Sequence, residues 1–355
     1  MPINRDLVDP AELTDQTRKA LAEFEVNSPN SLAKYLPSET LDDIEYEADA
    51  GQGGLIEAAM YRAYDAGLAI ARDEALGKLR GRIQPLGQKI PITEEARLRL
   101  RKDAETSLRA DIERKAKRIA HAVATQVNLK RAEALVDAEL SFVGNGVNLK
   151  VPFGRKPEFT TVLTKLWSDD TADPIEDLII LCDAYEAENG FRPVEMLTGQ
   201  AAKTAFYRHP KVTAMAIGTL NTGQTPQRIA APSEVDALLS LYNLPSFTVN
   251  TGKVKVRNLD GSNTIKFLIP QDSIVLLADG GDAKEADSSQ LGATYWGVTI
   301  EATKSDWGIE ESEWAGIVTA VFDNDTVPAF MSVEGSAIAT PVLINPNYSL
   351  KAKVV

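Results

Sequence analysis

Residues 92–140 read ITEEARLRLRKDAETSLRADIERKAKRIAHAVATQVNLKRAEALVDAEL and form the chain's longest stretch without glycine or proline. Pro91 precedes it. Thr93 followed by Glu94 and Glu95 gives a helix start, a hydroxyl cap with acids in the first turn. Leu98, Leu108, Ile112, Ala116, Ile119, Ala120 and Val123 fall on one helical stripe. The other faces carry Arg101, Lys102, Glu105, Arg109, Glu113, Arg114, Lys117 and Arg118. The pairs Glu105→Arg109 and Glu113→Lys117 are spaced i,i+4 in the better orientation, worth roughly a few tenths of a kcal/mol each. A helix over 93–126 is roughly 50 Å long at ~1.5 Å per residue. The stripe keeps no strict heptad, which argues against a coiled coil. Such a helix belongs to a flat subunit that its neighbours complete. Val127-Asn128 interrupts the pattern and predicts a kink near Thr125–Asn128, with a second piece over Lys130–Leu140.

N-terminal to this helix, Ala11–Phe24 has helical spacing and Asn27-Ser28-Pro29-Asn30 breaks it. Residues 1–45 contain no self-contained core, so they are expected to be an arm ordered by packing on something else. Residues 46–91 include Gly51-Gln52-Gly53-Gly54, which lacks the Lys-Ser/Thr of a phosphate loop. Gly81, Pro85, Gly87 and Pro91 mark turns. So long an excursion makes a binding surface more readily than part of a compact core.

C-terminal to the helix the pattern changes. Phe142-Val143, Asn145-Gly146 and the alternation of Val147, Leu149 and Val151 predict a hairpin. Asp173-Pro174 starts a helix that Asn189-Gly190 ends. A strand at Arg192–Leu197, helices at Thr198–Arg208 and Ser233–Leu241, and a strand at Pro245–Asn250 follow. Thr264–Leu268, Ser273–Leu277, Tyr295–Ile300, Trp314–Phe322, Val327–Glu334 and Ile338–Leu343 are strand candidates. Ser349–Val355 alternates and is expected to close a sheet.

The 355 residues carry a formal charge of −13, which disfavours free nucleic acid and anionic membranes. Residues 70–89 hold five basic and two acidic side chains, whereas residues 261–340 hold three basic and thirteen acidic ones. These segments are suited to attract each other between copies. Cys182, the lone cysteine, lies in an apolar run and reads as a buried hydrophobe. No stretch approaches ~20 apolar residues, so no membrane span is expected. Met1–Pro10 lacks the features of a signal peptide.

Catalytic chemistry finds little support. His121 has Lys117 and Thr125 at its i±4 positions, so it lacks a ligand partner. His209 sits at a helix end before Pro210. No Gly-x-Ser-x-Gly elbow exists for a hydrolase. Asp169, Asp170, Asp173 and Asp177 form the densest acid cluster, and read as helix caps and a solvated loop rather than a metal site. Asp323, Asn324 and Asp325 read as a turn. No catalytic, cofactor or metal residues are assigned. Arg72, Lys78, Arg80, Arg82, Lys89, Trp307 and Trp314 are the candidate inter-subunit contacts.

At Trp167 the chain resembles a known family. Trp167-Ser168-Asp169-Asp170 and Asp173-Pro174-Ile175-Glu176-Asp177-Leu178 are similar to the start of the axial domain in the lambda-type (E-type) major capsid proteins of tailed bacteriophages. Gly190 and Pro193, the helix Thr198–Phe206 before Pro210, Phe267-Leu268-Ile269-Pro270, Gly292–Gly297 and Thr340-Pro341-Val342-Leu343-Ile344-Asn345-Pro346 continue the resemblance in order. It covers about 130–355 by motif and 90–130 by pattern; residues 1–90 match only in kind.

The resemblance implies an α+β fold of HK97 type. The N-terminal arm would be 1–45, an extended β-hairpin loop 46–91, a peripheral β-sheet domain with the spine helix 92–173, an axial α/β domain 174–325, and a return to the peripheral domain 326–355. It implies a homo-oligomer, with pentamers and hexamers in an icosahedral shell that encloses double-stranded DNA without reading its sequence. It implies no enzyme, cofactor or membrane, and assembly in the host cytoplasm into a virion. Scaffold, portal and decoration proteins are its possible partners. Lys78 and Lys89 are available for covalent cross-linking, but no motif assigns a partner. The alternative is an encapsulin-like nanocompartment shell of the same fold.

Overall fold

The computed structural model describes residues 3–5, 7–50, 77–100, 105–144, 147–218, 229–258, 260–283, 285, 288–324 and 330–355. The chain divides into two compact units. One comprises Met1–Glu47, Arg80–Ala132 and Gly281–Val342; the other comprises Ala48–Leu79, Glu133–Gly280 and Leu343–Val355.

The first unit is built on the strand Phe330–Leu343. Antiparallel partners are Val318–Asn324, along residues 330–336, and Pro85–Ile92, along residues 331–338. Gly292–Gly297 also pairs with it and carries Ser38–Thr40 as a parallel neighbour. Period-two alternation sends Met331, Val333, Ala337 and Ala339 to one face. There they share a hydrophobic cluster with Ile112, Ile119, Val123 and Val127 of the long helix.

That helix spans Glu105–Asp137, 33 residues, and a shorter one covers Glu94–Leu100. The expected separation into two pieces is not seen, since one helix runs through Val127-Asn128. The polar interruption has another cause. The Asn128 side-chain oxygen accepts from the Leu32 N–H at 2.8 Å, and its amide nitrogen donates to the Asn30 carbonyl at 2.9 Å. Asn128 is thus a fastening between the helix and the chain's own N-terminal segment. The expected charge pairing also differs. Glu113 receives Arg109, not Lys117, at 3.1 Å.

The expected break between Val327–Glu334 and Ile338–Leu343 is absent as well. Gly335 continues the strand because the helix passes close over it. A Cβ at Gly335 would lie 2.5 Å from Ile119 Cγ2. Gly335→Ala is therefore expected to cost ~1–3 kcal/mol through forced repacking. A double-mutant cycle with Ile119→Ala, read by thermal unfolding, should recover much of that cost. An unchanged melting temperature in Gly335→Ala alone would contradict the close approach.

The N-terminal segment is ordered by its own unit rather than by a separate partner. Pro10–Asn27 is a helix whose cap, Asp9, accepts from the Ala11 N–H at 3.0 Å. Leu13, Thr14, Thr17 and Ala20 are buried. The Thr14 hydroxyl donates to the Thr319 carbonyl at 3.2 Å and accepts from the Thr319 N–H at 3.1 Å. Two of its buried residues are threonines, so hydrophobic residues alone understate its buried face.

The second unit holds a five-stranded sheet in the order Thr160–Val162, Ser349–Lys353, Ser273–Leu277, Glu195–Thr198, Phe247–Val249. The C-terminal strand completes this sheet from an interior position, antiparallel to Ser273–Leu277 and parallel to Thr160–Val162. Helices Pro174–Asn189, Gln200–Arg208, Pro210–Ile217 and Pro232–Leu241 belong to the same unit. Asp173 caps the first of them by accepting from the Glu176 N–H, and Gly190 ends it at φ 78°. The core gathers Trp167, Leu178, Cys182, Tyr185, Phe206, Leu239, Phe247 and Ile274. Two hairpins also belong to the unit, Glu139–Gly144 with Val147–Pro152 and Lys253–Arg257 with Asn263–Phe267. Arg155 donates to the Val136 carbonyl at 2.7 Å and to the Ser349 hydroxyl at 3.1 Å, holding the carboxyl end of the long helix. Burial pushes its guanidinium down to about 10.

The grouping differs from the expected segments: residues 133–173, with the hairpin Glu139–Pro152 and the strand Thr160–Val162, and residues 343–355 belong to the second unit, and Gly292–Gly297 with Val318–Asn324 belongs to the first.

Candidate subunit-contact surfaces

The basic residues expected to meet a neighbour are largely answered within the chain. Arg82 bonds Glu45 at 3.0 Å and Arg80 bonds Glu47 at 3.0 Å. The paired strands Glu45–Ala50 and Gly77–Arg82 supply these residues. The contact is close because Gly81 has no Cβ, which would otherwise lie 2.5 Å from the Tyr46 hydroxyl. Lys89 pairs with Glu334 at 2.6 Å, with its ammonium 5.2 Å from the Phe330 ring centroid. Lys78 is exposed. Arg72 lies outside the described residues.

The two tryptophans divide. Trp307 is 4% exposed and packs edge-on against Phe322. Its place as a contact residue gives way to a place in a small cluster with Ala302, Val318 and Ala320. Trp314 is half-buried against the same cluster, its indole N–H donating to the Ile309 carbonyl at 3.3 Å.

Other surfaces fit contact better. The residues of Phe330–Leu343 that alternate away from the helix include Ser336 and Ile338. With Ile44, Val298, Thr299 and Ile300 they line a shallow groove of about 300 Å³. Ile44 and Ile300 are exposed. In the hairpin Lys253–Arg257 with Asn263–Phe267, the expected strand Thr264–Leu268 matches the second arm, and Lys253–Arg257 is a strand beyond those expected. Its signal was the K-V-K-V-R alternation, masked by the cations.

The acid cluster does local work. Asp169 accepts from the Thr171 N–H and hydroxyl, both at 2.9 Å, and these bonds hold its carboxyl below the usual range. Asp173 caps its helix and lies 3.5 Å from Lys211. Asp177 accepts from the Trp167 indole at 3.1 Å, while burial pushes its carboxyl up. Asp323 takes a two-pronged ion pair from Arg97 at 3.1 and 3.2 Å. Among the described residues, no group of three His, Cys, Asp or Glu is placed to hold a metal ion. His209 is buried and acts as a cap. Its Nδ1 accepts from the Lys211 N–H, which leaves Nε2–H to donate to the Asp169 carbonyl at 3.1 Å. His121 is exposed, with its ring 5.4 Å from that of Phe24.

Cys182 is buried, and burial pushes its thiol up to about 12. The thiolate is the reactive form. Reaction with a thiol reagent at neutral pH is expected to be at least on the order of 100-fold slower in the folded protein than in denaturant. Equal rates would contradict this burial.

The sequence model of the family "Phage major capsid protein E" matches residues 41–309. The chain belongs to this family. As a phage major capsid protein it is a structural component of the virion capsid. The fold agrees. A prophage protein of Escherichia coli CFT073, described as a capsid protein, superposes with a TM-score of 0.61 at 15% identity, covering 96% of this chain and 99% of that one. A phage-related protein of Bordetella bronchiseptica RB50 gives 0.55 at 14% identity, covering 96% and 95%. Both share the HK97-type α+β architecture with this capsid protein. An encapsulin from Synechococcus elongatus PCC 7942 reaches only 0.41 at 11% identity, too distant to weigh. No curated protein sequence matches. Among the described residues no helix is long and apolar enough to cross a membrane.

Proposed function

We propose that this capsid protein closes, as pentamers and hexamers, into an icosahedral shell around the double-stranded DNA of a tailed phage. The family match over residues 41–309 carries the reading. In this reading the first compact unit is the peripheral domain and the second the axial domain that meets its copies around the symmetry axes. The part of residues 46–91 before the strand Pro85–Ile92 is the loop that reaches a neighbour, with Lys78 exposed on it and Arg72 within it. Arg80, Arg82, Lys89 and Trp314 serve at subunit contacts only where a neighbour competes for their present partners. The protein has no catalytic role. A scaffold, a portal and decoration proteins are the partners that the reading implies. DNA contacts are sequence-independent, and the charge of −13 limits trapping of the genome by the shell.

The test is the content of particles isolated from phage-producing cells. Nuclease-protected DNA of genome length supports the reading. Particles filled with a cargo protein and lacking such DNA would favour a nanocompartment and overturn it.

A further inference from the structure

The hairpin of the second unit carries a charge pattern that nothing above uses. Lys253–Arg257 pairs antiparallel with Asn263–Phe267, in the register Lys253 with Phe267, Lys255 with Ile265 and Arg257 with Asn263. Directly opposed residues share a face. One face therefore presents Lys253, Lys255 and Arg257 interleaved with Phe267 and Ile265. Val254, on the other face, is buried. The Lys253 ammonium lies 4.8 Å from the Phe267 ring centroid, which agrees with this assignment.

Every cation on the face is exposed, and Ile265 is 67% exposed. Among the described residues none of the three cations has an ion pair with an acid. The nearest acid in sequence, Asp260 in the turn, accepts from the Ser262 N–H and hydroxyl instead. Several basic residues elsewhere, Arg80, Arg82, Lys89 and Arg97 among them, have carboxylate partners.

In a chain with 51 acidic and 38 basic residues, three cations on one face have no carboxylate partner among the described residues and lie beside exposed apolar side chains. Phosphate alone would engage the cations and leave Ile265 and Phe267 in water. A protein surface that supplies acids beside apolar area engages both. This chain supplies such acids in excess; Glu310 and Glu311 are exposed and, among the described residues, have no ion pair. A contact between unlike patches of identical copies is head-to-tail, the kind that closes rings.

We propose that the cationic face of this hairpin docks on an acidic surface of a second copy of the chain. The inference rests on the shell reading. Its test compares the full-length chain with Lys253→Glu/Lys255→Glu/Arg257→Glu and with the neutral Lys253→Gln/Lys255→Gln/Arg257→Gln. Assembly is followed by sedimentation velocity over a concentration series at low and high salt, and folding by circular dichroism.

The charge-reversed chain is expected to fold and to need at least about tenfold higher concentration to assemble. The neutral chain should fall between, and salt should narrow the differences. A folded charge-reversed chain that assembles at the wild-type concentration overturns the proposal. If that chain also loses salt-sensitive binding of duplex DNA, the strip belongs to nucleic acid instead. Should the charge-reversed chain not fold, the neutral chain decides by the same criterion. Failure of the wild-type chain itself to assemble would refute the shell reading, and the docking with it.

Discussion

Arg131→Ala is expected to destabilise the unassembled protein by about 3–5 kcal/mol, because it leaves a buried carboxylate without its cation. Arg131 is 1% exposed and pairs with Glu25 at 2.7 Å. Its remaining donors reach the Thr294 and Ser38 hydroxyls, both at 2.9 Å. A serine hydroxyl has one proton and two lone pairs. Ser38 uses all three, donating to Glu25 at 3.0 Å and accepting from Arg131 and from the Trp296 indole at 2.9 Å. The network ties the N-terminal helix, the strand Ser38–Thr40, the long helix and the strand Gly292–Gly297. A loss of this size is a large share of a typical total of about 5–15 kcal/mol, so the variant should accumulate as insoluble chain. Arg131→Met with Glu25→Leu removes both charges and should recover most of the loss in a urea titration. An unchanged midpoint for Arg131→Ala would show that the network contributes nothing.

Trp167→Ala is expected to cost about 3–5 kcal/mol by opening a cavity in the core of the second unit. The indole is 2% exposed, 5.1 Å from the Phe206 ring, and its N–H donates to Asp177. Trp167→Phe keeps part of the packing and removes the donor, which separates the two contributions. Burial already raises the Asp177 carboxyl, and the indole bond opposes that rise. Without the bond the folded-state value climbs further above the unfolded one. A raised acid favours the folded state at low pH and loses that contribution as pH rises through the folded value. The deficit of Trp167→Phe should therefore be larger at neutral pH than in mild acid, in paired melts. A deficit independent of pH would assign the whole effect to packing.

Features governed by local rules were legible in the sequence. The Asp173-Pro174 start and the Gly190 stop are cap chemistry, and both stand as read. The long helix was legible from its stripe, and the hairpin after it from alternation around Asn145-Gly146. Features governed by tertiary contact were not. Asn128 reads as a break until Asn30 and Leu32 are brought beside it. Gly335 reads as a strand end until Ile119 is seen above it. Thr14 and Thr17 give no hydrophobic signal of burial, which Thr319 and the Leu13 carbonyl explain by meeting their hydroxyls. Charge was the least legible. Arg80, Arg82 and Lys89 have partners distant in sequence, whereas Lys253, Lys255 and Arg257 have no ion partner among the described residues.

Negative-stain imaging of the purified protein, over a series of salt and protein concentrations, shows whether the subunit assembles. Rings and closed shells of uniform diameter are expected. A chain that stays folded and monomeric under every condition would contradict the proposed shell assembly.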